Sequence, residues 1–178
     1  MENKIKNTGD CIKLHLGCGL DKLSGYINCD IDERVNPDML VDFEKKLPFK
    51  DDSVIKVYSK NTFEHIRNVI QIMNELHRIC KNGAVINIRV PFYSSYAYCS
   101  SIEHVTRFTP DTFSCFSHLF DIKFKLKLFV MGKKGLLGIF QKFIDSFINK
   151  HTYFYCRALS NILPCSEIEY FIKVIKYN

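Results

Sequence analysis

Short apolar runs rich in Val, Ile and Leu, each closed by turn-forming residues, recur at Ile12–Leu16 and at 26–29, 39–41, 54–58 and 84–90. Runs this short with little polar alternation predict buried strands of a parallel sheet. Between the last two, Phe63, Ile66, Val69, Ile70, Met73, Leu76 and Ile79 fall at three- and four-residue spacing. That spacing predicts an amphipathic helix over 62–80, stopped by Lys81-Asn82-Gly83. Strand, helix and strand in this order predict a right-handed parallel crossover.

After Pro91 the pattern loosens into an aromatic, serine-rich stretch at 93–101. Thr109-Pro110-Asp111 then predicts a short helix running to Phe120, with Thr109 as N-cap and Pro110 in the first helical position. Lys alternates with Phe and Leu over 122–130, which predicts a strand with one wet face. An amphipathic helix over 135–149 and a closing strand over 168–175 complete the order. In the helix, Phe140, Phe143 and Phe147 are expected to be core. The elements add up to an α/β domain with a mostly parallel sheet and an antiparallel C-terminal strand pair. Only six residues, 20–25, separate the glycine loop that ends the first strand from the second strand, whereas a parallel crossover ordinarily takes a dozen or more. The first helix is therefore expected to be reduced or absent.

At 178 residues, 47% of them hydrophobic, the chain suits one domain over 1–178, with a core at 11–120 and an elaboration at 121–178. The net charge of +6 comes from scattered lysines, with no arginine-rich arm, and so disfavours a nucleic-acid partner. Eight cysteines form no CxxC pair and no His-rich cluster at zinc spacing. They read as small buried residues of a reducing cytoplasm, with no metal site expected. Residues 1–10 are polar and lack the apolar segment of an export signal. The greasiest stretch, 135–148, is interrupted by Gln141, Lys142 and Asp145 and is too short to span a bilayer. A cytoplasmic protein without a transmembrane segment is expected.

The chemistry concentrates where the first strand runs into Gly17-Cys18-Gly19 and the second ends on Asp30. Glycines let backbone approach a ligand, and a carboxylate at the next strand end accepts ribose hydroxyls. A dinucleotide fingerprint needs a third glycine where this chain has Lys22, and it needs a helix N-terminus for the pyrophosphate. NAD is disfavoured, which leaves a nucleoside ligand without phosphates.

Six ordered segments then carry a resemblance: LHLGCG (14–19), GYINCDID (25–32), LPFKDDS (47–53), FEHI (63–66), ELHRICKNGAVINIRVP (75–91) and EHVTRFTP (103–110). Together the chain resembles the class I S-adenosylmethionine-dependent methyltransferases, specifically the small stand-alone type associated with sugar and cell-envelope modification. The resemblance implies a three-layer Rossmann-like methyltransferase fold with S-adenosyl-L-methionine as cofactor. It places Gly17, Cys18 and Gly19 against the aminoacyl part, Asp30 with Ile31 at the ribose, and Asp42 with Phe43 at the adenine. Ser59 and Asn61 flank the methionine, and His65 faces the sulfonium. Two departures stand out: Ile55 where the family usually has Asp, and a bulky Lys60 beside the methionine site.

Acceptor-side candidates follow the fifth strand: Tyr93, Tyr96, Tyr98, Glu103, His104 and Arg107. His104 carries an imidazole, the side-chain type suited to general-base work near neutrality, and Arg107 can clamp an anionic group on the acceptor. Plainer roles stay open. Asp30 and Asp42 can be solvated turn residues, Asp32 is an alternative ribose ligand, His65 can simply start a helix, and His104 and Arg107 can tie their loop to the sheet. His15, mid-strand, reads as a packed core histidine. The expected activity is methyl transfer to a small-molecule or glycan hydroxyl. A non-catalytic scaffold and an RNA methyltransferase are the alternatives.

Overall fold

The computed structural model describes residues 11–128 and 136–177. Seven strands form one sheet in the order β3-β2-β1-β4-β5-β7-β6: β1 (Ile12–Leu16), β2 (Ile27–Asp30), β3 (Met39–Leu40), β4 (Val54–Lys60), β5 (Cys80–Pro91), β6 (Phe120–Leu128) and β7 (Cys165–Val174). The first five pair in parallel, while β7 runs antiparallel to both β5 and β6. The expected mixed α/β sheet is therefore the observed one. Its core is the central strands: Leu14, Val57, Ile86, Ile88 and Ile172 are essentially solvent-free.

No helix joins β1 to β2. Side chains do that work instead: the Asn28 carboxamide accepts from the Leu23 amide at 2.8 Å and donates to the Leu23 carbonyl at 3.2 Å. Asp38 in turn accepts from both the Asn28 amide and its carboxamide, at 2.8 and 2.7 Å. Asn28 is 5% exposed, so it closes a short crossover that would otherwise leave backbone polar groups unpaired. His15 packs as expected, buried, with Nδ1 3.2 Å from the Asn28 carboxamide oxygen.

The helix expected over 62–80 is in fact two pieces. A 3-10 turn, Phe63–His65, ends at Ile66 in extended backbone, and α1 (Val69–Ile79) starts afresh with Asn68 as N-cap, accepting from the Gln71 amide at 3.1 Å. The Glu64 carbonyl is why the first turn does not continue, since it accepts from the Val105 and Thr106 amides at 2.8 and 3.1 Å. At the other end Cys80 is already extended and opens β5, so Lys81-Asn82-Gly83 belongs to the strand.

The helix expected from Thr109 to Phe120 is absent. The Thr109 carbonyl accepts from the Thr112 amide at 3.1 Å and from the Tyr170 hydroxyl, leaving only a turn and a 3-10 segment, Ser114–Phe116. Phe113 packs edge-on against Tyr170, centroids 4.8 Å apart, and that burial outweighs the helix-start signal. Strand β6 accordingly starts at Phe120, two residues early, and β7 at Cys165, three early. A second helix, α2 (Tyr96–Cys99), breaks the aromatic stretch, and α3 (Leu136–Lys150) lies near its expected place. The core expectation fails for two of its phenylalanines: Phe143 is 78% and Phe147 47% exposed. The Phe140 side chain lies outside the described residues.

All eight cysteines are free, and Cys11, Cys99 and Cys115 are exposed rather than buried. No helix among the described residues is long and apolar enough to cross a membrane.

Candidate active site

A cavity of about 670 Å³ opens where β1, β2 and β4 end, the edge at which a parallel sheet holds ligands. Gly17 and Gly19 both line it, for different reasons. Gly17 has φ +67°, and a Cβ there would sit 2.0 Å from Thr62 Oγ1, so its missing side chain makes room for the next wall of the site. Gly19 has φ +48° and nothing within 4 Å of a notional Cβ, leaving space for a ligand to approach the backbone. The loop is pinned from below, because the Gly17 and Cys18 amides both donate to the Cys29 carbonyl at 2.9 and 3.0 Å.

Asp30 stands at the end of β2 facing the cavity and holds the loop directly. One carboxylate oxygen accepts from the Gly19 amide at 2.8 Å and the other from the Asp32 amide at 3.0 Å. Each oxygen retains lone-pair capacity toward the cavity. Ile31, 65% exposed, lines the same wall. Asp32 turns elsewhere: its carboxylate grips Arg34 and caps the Glu33–Val35 turn.

Asp42 and Phe43 follow β3 and complete the far end, joined by Glu44. The Glu44 amide, first, and Lys45, second, hold the Asp42 carboxyl below its usual range, so it is an ionised acceptor at neutral pH. Asn61, in left-handed backbone at φ +53°, lines the wall after β4 and is fixed by its amide donating to the Arg89 carbonyl at 2.9 Å.

His65, Glu103 and Val105 line the remaining side. The amide bonds from 105 and 106 to Glu64 draw two distant segments together, so that the rings of His65 and His104 meet edge-on at 4.8 Å. Burial, and secondarily the neighbouring His104, lowers the His65 pKa, which keeps that imidazole neutral. His104 Nδ1 lies 2.9 Å from the Tyr98 carbonyl; donation there leaves Nε2 with its lone pair.

Four of the expected site residues, Cys18, Ser59, His104 and Arg107, sit off the cavity wall, as do the acceptor-side candidates Tyr93, Tyr96 and Tyr98. Cys18 is 3% exposed, and burial raises its thiol pKa; Ser59 is fully buried and donates to the Leu16 carbonyl at 3.0 Å, tying β4 to β1. Arg107 is exposed and lies over the Tyr98 ring, 5.7 Å from its centroid. Conversely, Thr62, Arg67 and Ile102 line the cavity without having been singled out from the sequence. Thr62 had a readable signal in its adjacency to FEHI, but its contact with Gly17 spans 45 positions of chain and emerges only on folding.

The sequence matches the family described as "Methyltransferase domain" over residues 14–88, a span that includes the glycine loop, Asp30, Asp42 and the Phe63–His65 turn. Over that span the sequence is similar to a methyltransferase domain. Solved methyltransferases share its fold. A SAM-dependent methyltransferase from Archaeoglobus fulgidus is 15% identical with a TM-score of 0.63, covering 92% of this chain and 86% of its own. An S-adenosylmethionine-dependent methyltransferase from Mesorhizobium loti is 14% identical with a TM-score of 0.57, covering 93% and 91%. The phosphoethanolamine N-methyltransferase 2 of Haemonchus contortus, solved in complex with S-adenosyl-L-methionine, is 13% identical with a TM-score of 0.59; the match covers 99% of this chain but 50% of that one. At these identities the likeness is one of fold. No curated protein sequence matches the chain. The glycine loop and the Asp30 strand end therefore sit on a sheet whose fold is shared with solved methyltransferases.

Proposed function

We propose that this methyltransferase transfers a methyl group from S-adenosyl-L-methionine to a hydroxyl of a small-molecule or glycan acceptor. The observation that carries the cofactor half is the placement of two carboxylates, Asp30 and Asp42, along one cavity whose floor is the glycine loop. Asp30 accepts the ribose hydroxyls, and a charged acceptor strengthens those bonds. Asp42 takes the adenine amine, with Phe43 against the ring. Asn61 and the Gly17 to Gly19 backbone flank the aminoacyl end. Cys18 and Ser59 act from behind the wall, by holding the loop and the strand end.

The acceptor oxygen attacks the methyl carbon in line with the carbon–sulfur bond. That bond's electron pair goes to sulfur, and neutral S-adenosylhomocysteine leaves. The hydroxyl proton passes to an imidazole on the acceptor side, His65 or His104, while Arg107 beside Tyr98 meets an anionic group on the acceptor. The protein's main contribution is alignment, because the reaction neutralises charge. The Tyr98 ring beside His104, centroids 5.7 Å apart, suits a sugar or ring-bearing acceptor and favours this reading over RNA.

Incubating the protein with methyl-labelled S-adenosylmethionine and fractionated small-molecule and glycan extracts tests the reading. Label is expected in a base-stable, ether-linked product. Label confined to RNA, or none transferred despite cofactor binding, would contradict it.

A further inference from the structure

Glu64 is the most anomalous group among the described residues. Its side chain is fully buried, and neither carboxylate oxygen has a hydrogen-bond partner. An unpaired buried carboxylate costs several kcal/mol, and native structures rarely tolerate one without an ion or a bound group to satisfy it. Burial pushes its pKa up to about 7, with its own backbone amide pulling the other way. Two imidazoles stand beside it: one Glu64 oxygen and one nitrogen each of His65 and His104 lie within 4.8 Å of one another. It is the one such grouping among the described residues. Spacing along the sequence gave no sign of it, because 38 positions separate His104 from the turn.

We propose that Glu64, His65 and His104 bind a divalent d-block cation of the zinc or manganese class at the acceptor side of the methyltransferase cavity. Two imidazole nitrogens and one carboxylate are a donor set for such a metal, whereas magnesium and calcium favour all-oxygen sites. Ligand atoms around one ion at about 2.1 Å stand roughly 3 to 4 Å apart, so the trio closes by about an ångström on binding. The surroundings are built for it. His104 Nδ1 is committed to the Tyr98 carbonyl, which aims Nε2 as the ligand and fixes the tautomer, as carbonyls do behind metal-bound histidines. The Val105 and Thr106 amides hold the Glu64 backbone, and Thr106 Oγ1 donates to the Ile66 carbonyl at 2.7 Å, so the two ligand-bearing segments are stapled together.

Three protein ligands leave coordination positions open, and His65 lines the cavity. The open positions take the acceptor oxygen. Coordination lowers that hydroxyl's pKa; its O–H bond breaks, the proton goes to water, and the metal-held alkoxide is the nucleophile. This role rests on the methyl-transfer reading, with His104 changing from proton acceptor to ligand, but the binding of the ion does not.

The test is titration of chelator-treated, untagged protein with zinc alone and with cobalt(II) as its spectroscopic stand-in. One equivalent is expected to bind, with cobalt d–d absorption of nitrogen and oxygen ligation and without a thiolate charge-transfer band. Glu64→Gln and His104→Gln are each expected to weaken binding at least about tenfold, in line with losing a ligand whose supporting shell alone is worth that much. Should Glu64→Gln not fold, His104→Gln, on a half-exposed residue, decides. No d–d band, thiolate-dominated absorption, or unchanged affinity in the folded variants would overturn the site. Cofactor affinity measured on the same chelated protein reports separately on the methyl-transfer reading.

Discussion

The two shoulders of the cavity are built on opposite terms. On the cofactor shoulder the polar groups are already engaged: Asp30 holds the Gly19 and Asp32 amides, Asp42 holds the Glu44 amide, and the Gly17 and Cys18 amides share one carbonyl. Behind His65 on the other shoulder, the Glu64 carboxylate is buried without a hydrogen-bond partner, close to two imidazoles. The first shoulder is shaped before its ligand arrives. The second keeps donor capacity in reserve, and a ligand or ion must supply what the fold does not. Under the proposed function, the prepared wall is the one that would hold the methyl donor.

The hardest blow to the prepared shoulder is Gly17→Ala. A Cβ in left-handed backbone costs about 1 to 2 kcal/mol, and overpacking against Thr62 adds about 1 to 3. A total loss of about 3 kcal/mol in urea denaturation is expected, against about 1 kcal/mol for Gly19→Ala, which meets no neighbour. Equal losses at both glycines would erase the distinction drawn between them. Next comes Asp30→Ala, which removes a charge-assisted acceptor worth about 1.5 to 3 kcal/mol and is expected to weaken cofactor binding roughly 10- to 100-fold.

A smaller effect concerns how the prepared side is held to α1. Glu75 accepts from the Leu47 amide at 2.8 Å and pairs with Arg78, which also donates to the Leu47 and Phe49 carbonyls at 3.0 Å each. Arg78, above all, depresses the Glu75 pKa. A depressed carboxylate contributes stability that is present above its unfolded pKa and lost as pH falls through the folded one. Stability measured from pH 6 downward is therefore expected to drop less steeply in Glu75→Gln than in the parent. Parallel slopes would detach this clamp from the acid response. Smallest of all is Phe143→Ser, expected to change stability by less than about 0.5 kcal/mol because the ring is solvent-exposed. A larger loss would mean that the face of α3 is covered in solution.

What was legible in the sequence follows the same division. Strands β1 to β5 and the missing first helix are legible because burial and turn chemistry act locally there. The Phe63–His65 turn was misread as helix because its carbonyl is claimed by residues 105 and 106, a contact with no trace in local periodicity. The helix start at Thr109 failed similarly, overridden by Tyr170 from β7. Of the residues expected at the site, Asp30, Asp42 and Asn61 line the cavity. Cys18 and Ser59 were assigned to the cavity because type and position fitted, yet their side chains turn into the core. Glu64 was passed over because nothing in its neighbours along the chain announces that it is buried without a partner.

The most direct measurement is calorimetric titration of S-adenosyl-L-methionine into the parent protein and into folded Asp30→Ala. The account predicts saturable one-site binding to the parent and a roughly 10- to 100-fold weaker isotherm for the variant. No binding to the parent at millimolar cofactor, or identical affinity in both proteins, would contradict it.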